Sequence, residues 1–424
     1  EMGTIERPTY TTEHERLEAS CAATFAARPI RQYLEGSLMP HILGYVGFPT
    51  SGQVETIIQQ GFNAETMVGQ SGIERSWDRV LRGLPGGRLA LYAPDGRRLR
   101  TLADASSQVP ESLWLTIDAD LQRYFLQALG EAYLANGGEG WGSRSPGAAG
   151  VVLDVNTGEI LALASWPTFD GNAQTAFPAI GREVADEILE EIAEDPRVPQ
   201  INRPVQGVFP AGSTFKVVDA VAVLDTGLWT ADTRYFSTGR WTYQGDVRYD
   251  WFGPGHGSVD LVGALTVSCN SCFYEAGFQL NEVNPFLLPT YSRRMGLGDV
   301  TGLTDLSEAA GTIPDPTFIN EVRDIPWSYA DAVNLAIGQG EVEVSPLQMA
   351  RMYAAIANGG TLYRPQLVRE RGILDQRTFI AEPDINAELN LRDGVLDVVR
   401  EGLCNVPNTP AGTAEFVFRL PTPS

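Results

Sequence analysis

Residues 209–224 read FPAGSTFKVVDAVAVL. Pro210 and Gly212 punctuate a turn, and the residues that follow, Phe215, Val217, Val218, Ala220 and Val221, leave little polar face. A helix apolar on most sides belongs in a core. Ser213 and Lys216 stand at its start, three residues apart, a spacing that puts both on one helix face, so hydroxyl and amine can meet. Serine is a weak nucleophile until a base takes its proton. An amine buried among apolar neighbours loses its preference for the charged form and becomes available as that base. Ser213 would also sit among the unpaired N–H groups of a helix N-terminus, which favour negative charge. An SxxK arises often by chance, but this one carries the only lysine of the chain; the other Lys/Arg positions are all arginine. Arginine cannot give up its proton in a protein, whereas a buried lysine can.

Outward from this helix, Ser268-Cys269-Asn270 lies in a loop between the amphipathic segment 259–267 and the helix-like 272–279. Such a triplet supplies a second hydroxyl for proton relay, and an amide able to accept from a lysine and donate to a substrate carbonyl. By itself it also reads as an ordinary N-cap turn. Upstream, Ala148–Ala164 forms a hairpin pattern: Val151-Val152-Leu153 and Ile160-Leu161-Ala162-Leu163 flank the turn Asn156-Thr157-Gly158. A second unit is expected to begin near Trp114, with Asp118 capping a helix through Leu121, Phe125, Leu126 and Leu129 that stops before Gly137-Gly138. Further helices are expected at Glu183–Glu194 (polar and on the surface), Leu261–Val267, Cys272–Gln279, Pro346–Asn358 and Asp393–Leu403, with strands toward the end. The region before residue 113 has frequent glycine breaks and a hairpin at Leu89–Arg98 turning on Pro94-Asp95-Gly96; it reads as a small β-rich module with short helices. Together these patterns describe an α+β layered architecture.

Composition bounds the partners. At 43% hydrophobic and 20% charged the chain is ordinary for a folded protein, and its net charge of -22 argues against nucleic acid or anionic lipid as a main ligand. No apolar run is long enough to cross a membrane. Cys21, Cys269, Cys272 and Cys404 are too few for a disulfide framework. Cys269 and Cys272 form a lone CxxC without a second ligand pair or a thioredoxin-like context, and read as buried, chemically quiet thiols. His14, His41 and His256 are scattered, with no paired metal-ligand spacing, so no metal site is expected.

SxxK followed by SxN resembles the penicillin-recognising serine enzymes, the class A β-lactamases and the penicillin-binding proteins. Other stretches resemble transpeptidases in particular: Asn202-Arg203 ahead of FPAGSTFK, LTIDADLQ from Leu115, DVNTGEILALASWPTFD from Asp154, Gly255-His256-Gly257, AIGQGEVEVSPLQMA from Ala336, and ANGG ending at Gly360. HILGYVG from His41 and VGQSGIERSWDRVLRG from Val68 resemble the non-catalytic pedestal of class B penicillin-binding proteins, and SCN in place of SSN resembles the elongation-type enzymes. The third family element, Lys-Thr-Gly, is absent; Gly412-Thr413-Ala414 is similar to the segment that precedes it, so the chain is expected to be truncated just before that strand.

The resemblance implies a penicillin-binding/serine β-lactamase-like transpeptidase domain, a central antiparallel sheet with helices, over 113–424, and an extended β-rich pedestal or dimerisation-type domain over 1–112. It implies a serine D,D-transpeptidase cross-linking peptidoglycan stem peptides on lipid II-derived glycan strands during cell elongation. The implied site residues are Ser213, Lys216, Ser268 and Asn270: Lys216 deprotonates Ser213, an acyl-enzyme forms, and the leaving D-Ala is protonated through Ser268 and Lys216. No metal or organic cofactor is implied; β-lactams would acylate the same serine, and a membrane glycosyltransferase of the SEDS type would be the partner. A single-pass anchor outside this fragment would hold the catalytic part outside the cell membrane. A D,D-carboxypeptidase or β-lactamase, and a β-lactam-binding sensor, remain as alternatives from the same superfamily.

Overall fold

Asp118 sets the start of a 16-residue helix. In the computed structural model, which describes residues 7–21, 30–135 and 145–418, its side chain accepts from the backbone N–H groups of Asp120 and Leu121 and caps the helix Ala119–Leu134. The stop expected at Gly137-Gly138 lies outside the described residues. This helix lies across the hairpin Ala148–Leu153/Ile160–Trp166, whose strands pair antiparallel as the sequence implies. The contact is close because two glycines permit it. A Cβ on Gly150 would meet the Phe125 ring at 2.2 Å, and one on Gly130 would meet the Trp166 indole nitrogen at 2.9 Å. The helix Pro346–Asn358 packs against the strand Ala148–Leu153.

A second sheet joins residues far apart in the chain. Val368–Ile373 lies between Ser112–Leu115 and Gln376–Ile380, antiparallel to both. The hairpin is stitched to it by Thr116, whose N–H donates to Leu367 O (2.8 Å) and whose hydroxyl donates to Ile160 O (2.6 Å), and by Ile160 N–H to Gln366 O (3.0 Å).

The helix Lys216–Thr226 runs through the main core. Every residue from Lys216 to Asp225 is buried, and Gly227 closes the helix in the left-handed conformation. Asn270–Val283, Leu287–Arg294 and Val395–Asn408 pack around it. The sequence places the two flanking helices Asn270–Val283 and Val395–Asn408 to within a few residues. No helix is expected from periodicity at Leu287–Arg294, Pro316–Arg323 or Tyr329–Ala336, although Asp315 with Pro316, and the Ser328/Asp331 capping box, mark the starts of the last two. These are eight residues each, too short for a periodic pattern to stand out.

The N-terminal region combines short helices, among them Ser51–Gln59 and Gly72–Ser76, with two antiparallel pairs: Val46–Gly47 with Val68–Gly69, and Gly87–Tyr92 with Arg98–Ala105. The second pair turns on Asp95 and Gly96, as read from the sequence; Asp95 accepts from Arg97 N–H at 3.0 Å, and Gly96 has a φ of 82°. This region is latched to the rest through Asp305. Its carboxylate accepts from the Trp77 indole (2.7 Å) and from Leu367 N–H (3.2 Å), and its carbonyl accepts from the Ser76 hydroxyl (2.5 Å). No helix among the described residues is long and apolar enough to cross a membrane.

Candidate active site

Ser213 sits in a single 3₁₀ turn, Gly212–Phe215, that leads directly into the core helix. Ser213 and Thr214 are exposed while Phe215 and Lys216 are buried, so the turn passes from solvent into the core within two residues. The turn is fixed from below. Gly212 N–H donates to Gly338 O at 2.8 Å, and a Cβ on Gly338 would stand 2.2 Å from Gly212 O, so the AIGQGEVEV segment runs tightly under the turn. Phe209 and Val344 exchange both backbone hydrogen bonds at 3.0 Å.

Lys216 Nζ hydrogen-bonds with Asn270 Oδ1 at 2.6 Å, Ser268 O at 2.8 Å and Ser268 Oγ at 2.9 Å. It also lies 5.7 Å from the Phe273 ring centre. Lys216, Ser268 and Asn270 thus meet at one amine, while Ser213 stands in the turn just before Lys216 and no hydrogen bond joins it to the amine among the described residues. Ser268 has a φ of 53°, the left-handed region that a serine adopts only when its surroundings impose it. Burial pushes the Lys216 amine down from 10.5 to about 8; the carboxyl groups of Asp250 and Asp219, where ionised, oppose that.

Two carboxyl groups near the amine escaped the sequence reading. Asp219, one turn further along the same helix, is fully buried with neither oxygen hydrogen-bonded, and burial drives its carboxyl well above the usual range, toward the neutral acid. Asp250 is also buried. That burial pushes its carboxyl up, but bonds from Ser271 N–H (2.9 Å), Ser271 Oγ (3.0 Å) and His256 Nε2 (3.2 Å) outweigh it and hold it low. Nothing in the local pattern marks Asp250, since its partners come from the other end of a loop and from the start of a helix.

The reading of Cys269 and Cys272 as quiet thiols needs correction. Both are buried, but they are joined by a disulfide across the first turn of the Asn270–Val283 helix, where their Cα atoms are 5.4 Å apart and within bridging distance. Cys269 also caps that helix, its sulfur accepting from Cys272 N–H at 3.1 Å. The N-cap role and the SxN role therefore coincide in one loop. Among the described residues, one group of metal-capable donors converges, Asp250, His256 and Cys269, with ligand atoms within 4.8 Å of one another. With the Cys269 sulfur bonded to Cys272 it is no thiolate, which leaves two donors.

The family described as "Penicillin binding protein transpeptidase domain" matches residues 148–421, and "Penicillin-binding Protein dimerisation domain" matches residues 3–113. The peptidoglycan D,D-transpeptidase MrdA of Escherichia coli K12 is 30% identical over 394 residues, 92% of this chain, and the chain spans 59% of the length of that relative. The peptidoglycan D,D-transpeptidase FtsI of the same organism is 27% identical over 79% of this chain and 47% of its own length. Among solved structures, a chain from a peptidoglycan synthase complex, in a study of how polymerisation and crosslinking are coordinated, superposes with a TM-score of 0.76 at 29% identity, covering 99% of this chain and 69% of that one. With the family match extending over the Ser213 turn, the SxN loop and most of the core around them, the chain belongs to the penicillin-binding protein transpeptidase family.

Proposed function

We propose that the protein is a penicillin-sensitive serine D,D-transpeptidase of the elongation type, cross-linking peptidoglycan stem peptides. Residues 113–424 would form the catalytic domain and residues 1–112 the pedestal. The observation that carries this reading is the placement of the chain's one lysine: a buried amine held by Ser268 and Asn270, on the helix that follows the turn bearing the exposed Ser213. In this reading neutral Lys216 takes the Ser213 hydroxyl proton as the oxygen attacks the penultimate D-Ala carbonyl. The C–N bond to the terminal D-Ala breaks, the departing amine takes a proton relayed through Ser268, and an ester remains on Ser213. An acceptor amine then attacks the ester, the acyl C–O bond to Ser213 breaks as an amide forms, and the proton lost by the acceptor amine passes by way of Lys216 to the Ser213 oxygen. The Ser213 backbone N–H would steady the oxyanion, and the Asn270 amide would orient the substrate.

The greater coverage and identity of MrdA relative to FtsI support the elongation subtype. The likeness to a chain of a peptidoglycan synthase complex supports a membrane glycosyltransferase of the SEDS type as partner, with the catalytic part outside the membrane. The test is covalent labelling. A tagged penicillin should acylate the native protein, and peptide mapping should place the tag on Ser213. A tag on Ser268, or no tag, would refute the assignment.

A further inference from the structure

The nucleophile turn is short, and a 3₁₀ turn has poorer hydrogen-bond geometry than an α-helix. Where Ser213 stands therefore depends on what holds the turn from outside. Gly212 is held from below by Gly338, and Phe215 is buried in the core. Thr214 is the exposed peptide between them. Its own hydroxyl donates to Ala211 O at 2.6 Å, a contact within the turn. Its carbonyl is met from another element: Tyr353, on the helix Pro346–Asn358, donates its hydroxyl to Thr214 O at 2.9 Å.

We propose that Tyr353 is a positioning residue for acylation, pinning from the outer side the turn that carries Ser213. This rests on the reading of Ser213 as the nucleophile. The ring of Tyr353 packs on the main core, so the hydroxyl is delivered by a fixed side chain and not by a mobile surface group. Burial also pushes the phenol up to about 12, so it remains a donor at any working pH. The Tyr353 hydroxyl has this one hydrogen bond among the described residues, and the bond reaches the peptide adjacent to the nucleophile. The same helix packs on the strand Ala148–Leu153, which ties the pin to the sheet and not to another loop.

Tyr353→Phe removes the hydroxyl and keeps the packing. Acylation by a reporter β-lactam, followed over a range of concentrations, separates the pre-covalent dissociation constant from the acylation rate constant. The expected result is an acylation rate constant lower by about 10-fold, since small displacements of a reacting group are costly, with the dissociation constant and melting temperature close to those of the parent. An acylation rate constant within about twofold of the parent, on the scale of a single weak hydrogen bond or less, would overturn the inference alone. A fall in melting temperature with both constants impaired together would also overturn it, as a general loosening. A parent that is not acylated at Ser213 would remove the proposed function, and this inference with it.

Discussion

Lys216 is 2% exposed, and all three of its hydrogen-bond partners are oxygens of the SxN loop. Those partners orient the amine, while burial works against its charge and brings it down to about 8. Below about pH 8 most of the amine is protonated and cannot accept the Ser213 proton. Acylation of the parent should rise with pH through neutrality, about tenfold per unit, and level off above a midpoint near 8. Lys216→Arg should remove this limb and slow acylation by about 10²- to 10⁴-fold, because guanidinium stays protonated at any workable pH while still able to pair with Asn270. Thermal melting measured alongside separates this from unfolding. An arginine variant that acylates within about threefold of the parent would rule Lys216 out as the base.

The helix Lys216–Thr226 shows how one element combines stability with chemistry. Its valines and alanines are buried on every side, and each buried valine contributes about 1.5–3 kcal/mol. Asp219 is the exception, a carboxyl in that same apolar setting with no hydrogen-bond partner. As the neutral acid it contributes no charge to the field around Lys216. Asp219→Asn should therefore leave the midpoint of the acylation–pH profile unchanged. An ionised Asp219 would have been holding the lysine proton on, and its removal would move the midpoint to lower pH. Asp219→Leu exchanges an unsatisfied polar group for an apolar one of similar size, and its melting temperature should rise. A shifted midpoint in the asparagine variant, or a lower melting temperature in the leucine variant, would contradict the neutral assignment.

At the scale of the whole molecule, Asp305 joins two regions of the chain. It accepts from the Trp77 indole, 228 residues earlier, and from Leu367 N–H in the approach to the second sheet. Asp305→Ala would leave the buried Leu367 N–H and the part-buried Trp77 indole without an acceptor, a loss of about 2–5 kcal/mol. Hydrogen exchange should quicken in residues 72–82 and 366–371 while the core helix Lys216–Thr226 keeps its protection. Unchanged exchange at both sites would show that the latch carries no stability.

Local signals decided a large part of this architecture. The 3-residue spacing of Ser213 and Lys216, the Asn156-Thr157-Gly158 turn, the Asp118 cap and the apolar run after Phe215 act over one turn or one hairpin, so neighbours in sequence suffice to read them. The candidate site residues stand out in the sequence for the same reason: each motif is a short run, and the single lysine distinguishes one of them. Tertiary structure alone decided what joins these runs. The amine of Lys216 meets Ser268 and Asn270 across 52 and 54 residues, Val368–Ile373 pairs with Ser112–Leu115, and Asp250 finds Ser271 across a loop. The Cys269–Cys272 disulfide lies within a local run, but its formation depends on the start of a helix that brings the two residues face to face. Periodicity and capping operate over 3.6 residues or 2, whereas these contacts depend on which buried surfaces pack together, a choice made by the entire core.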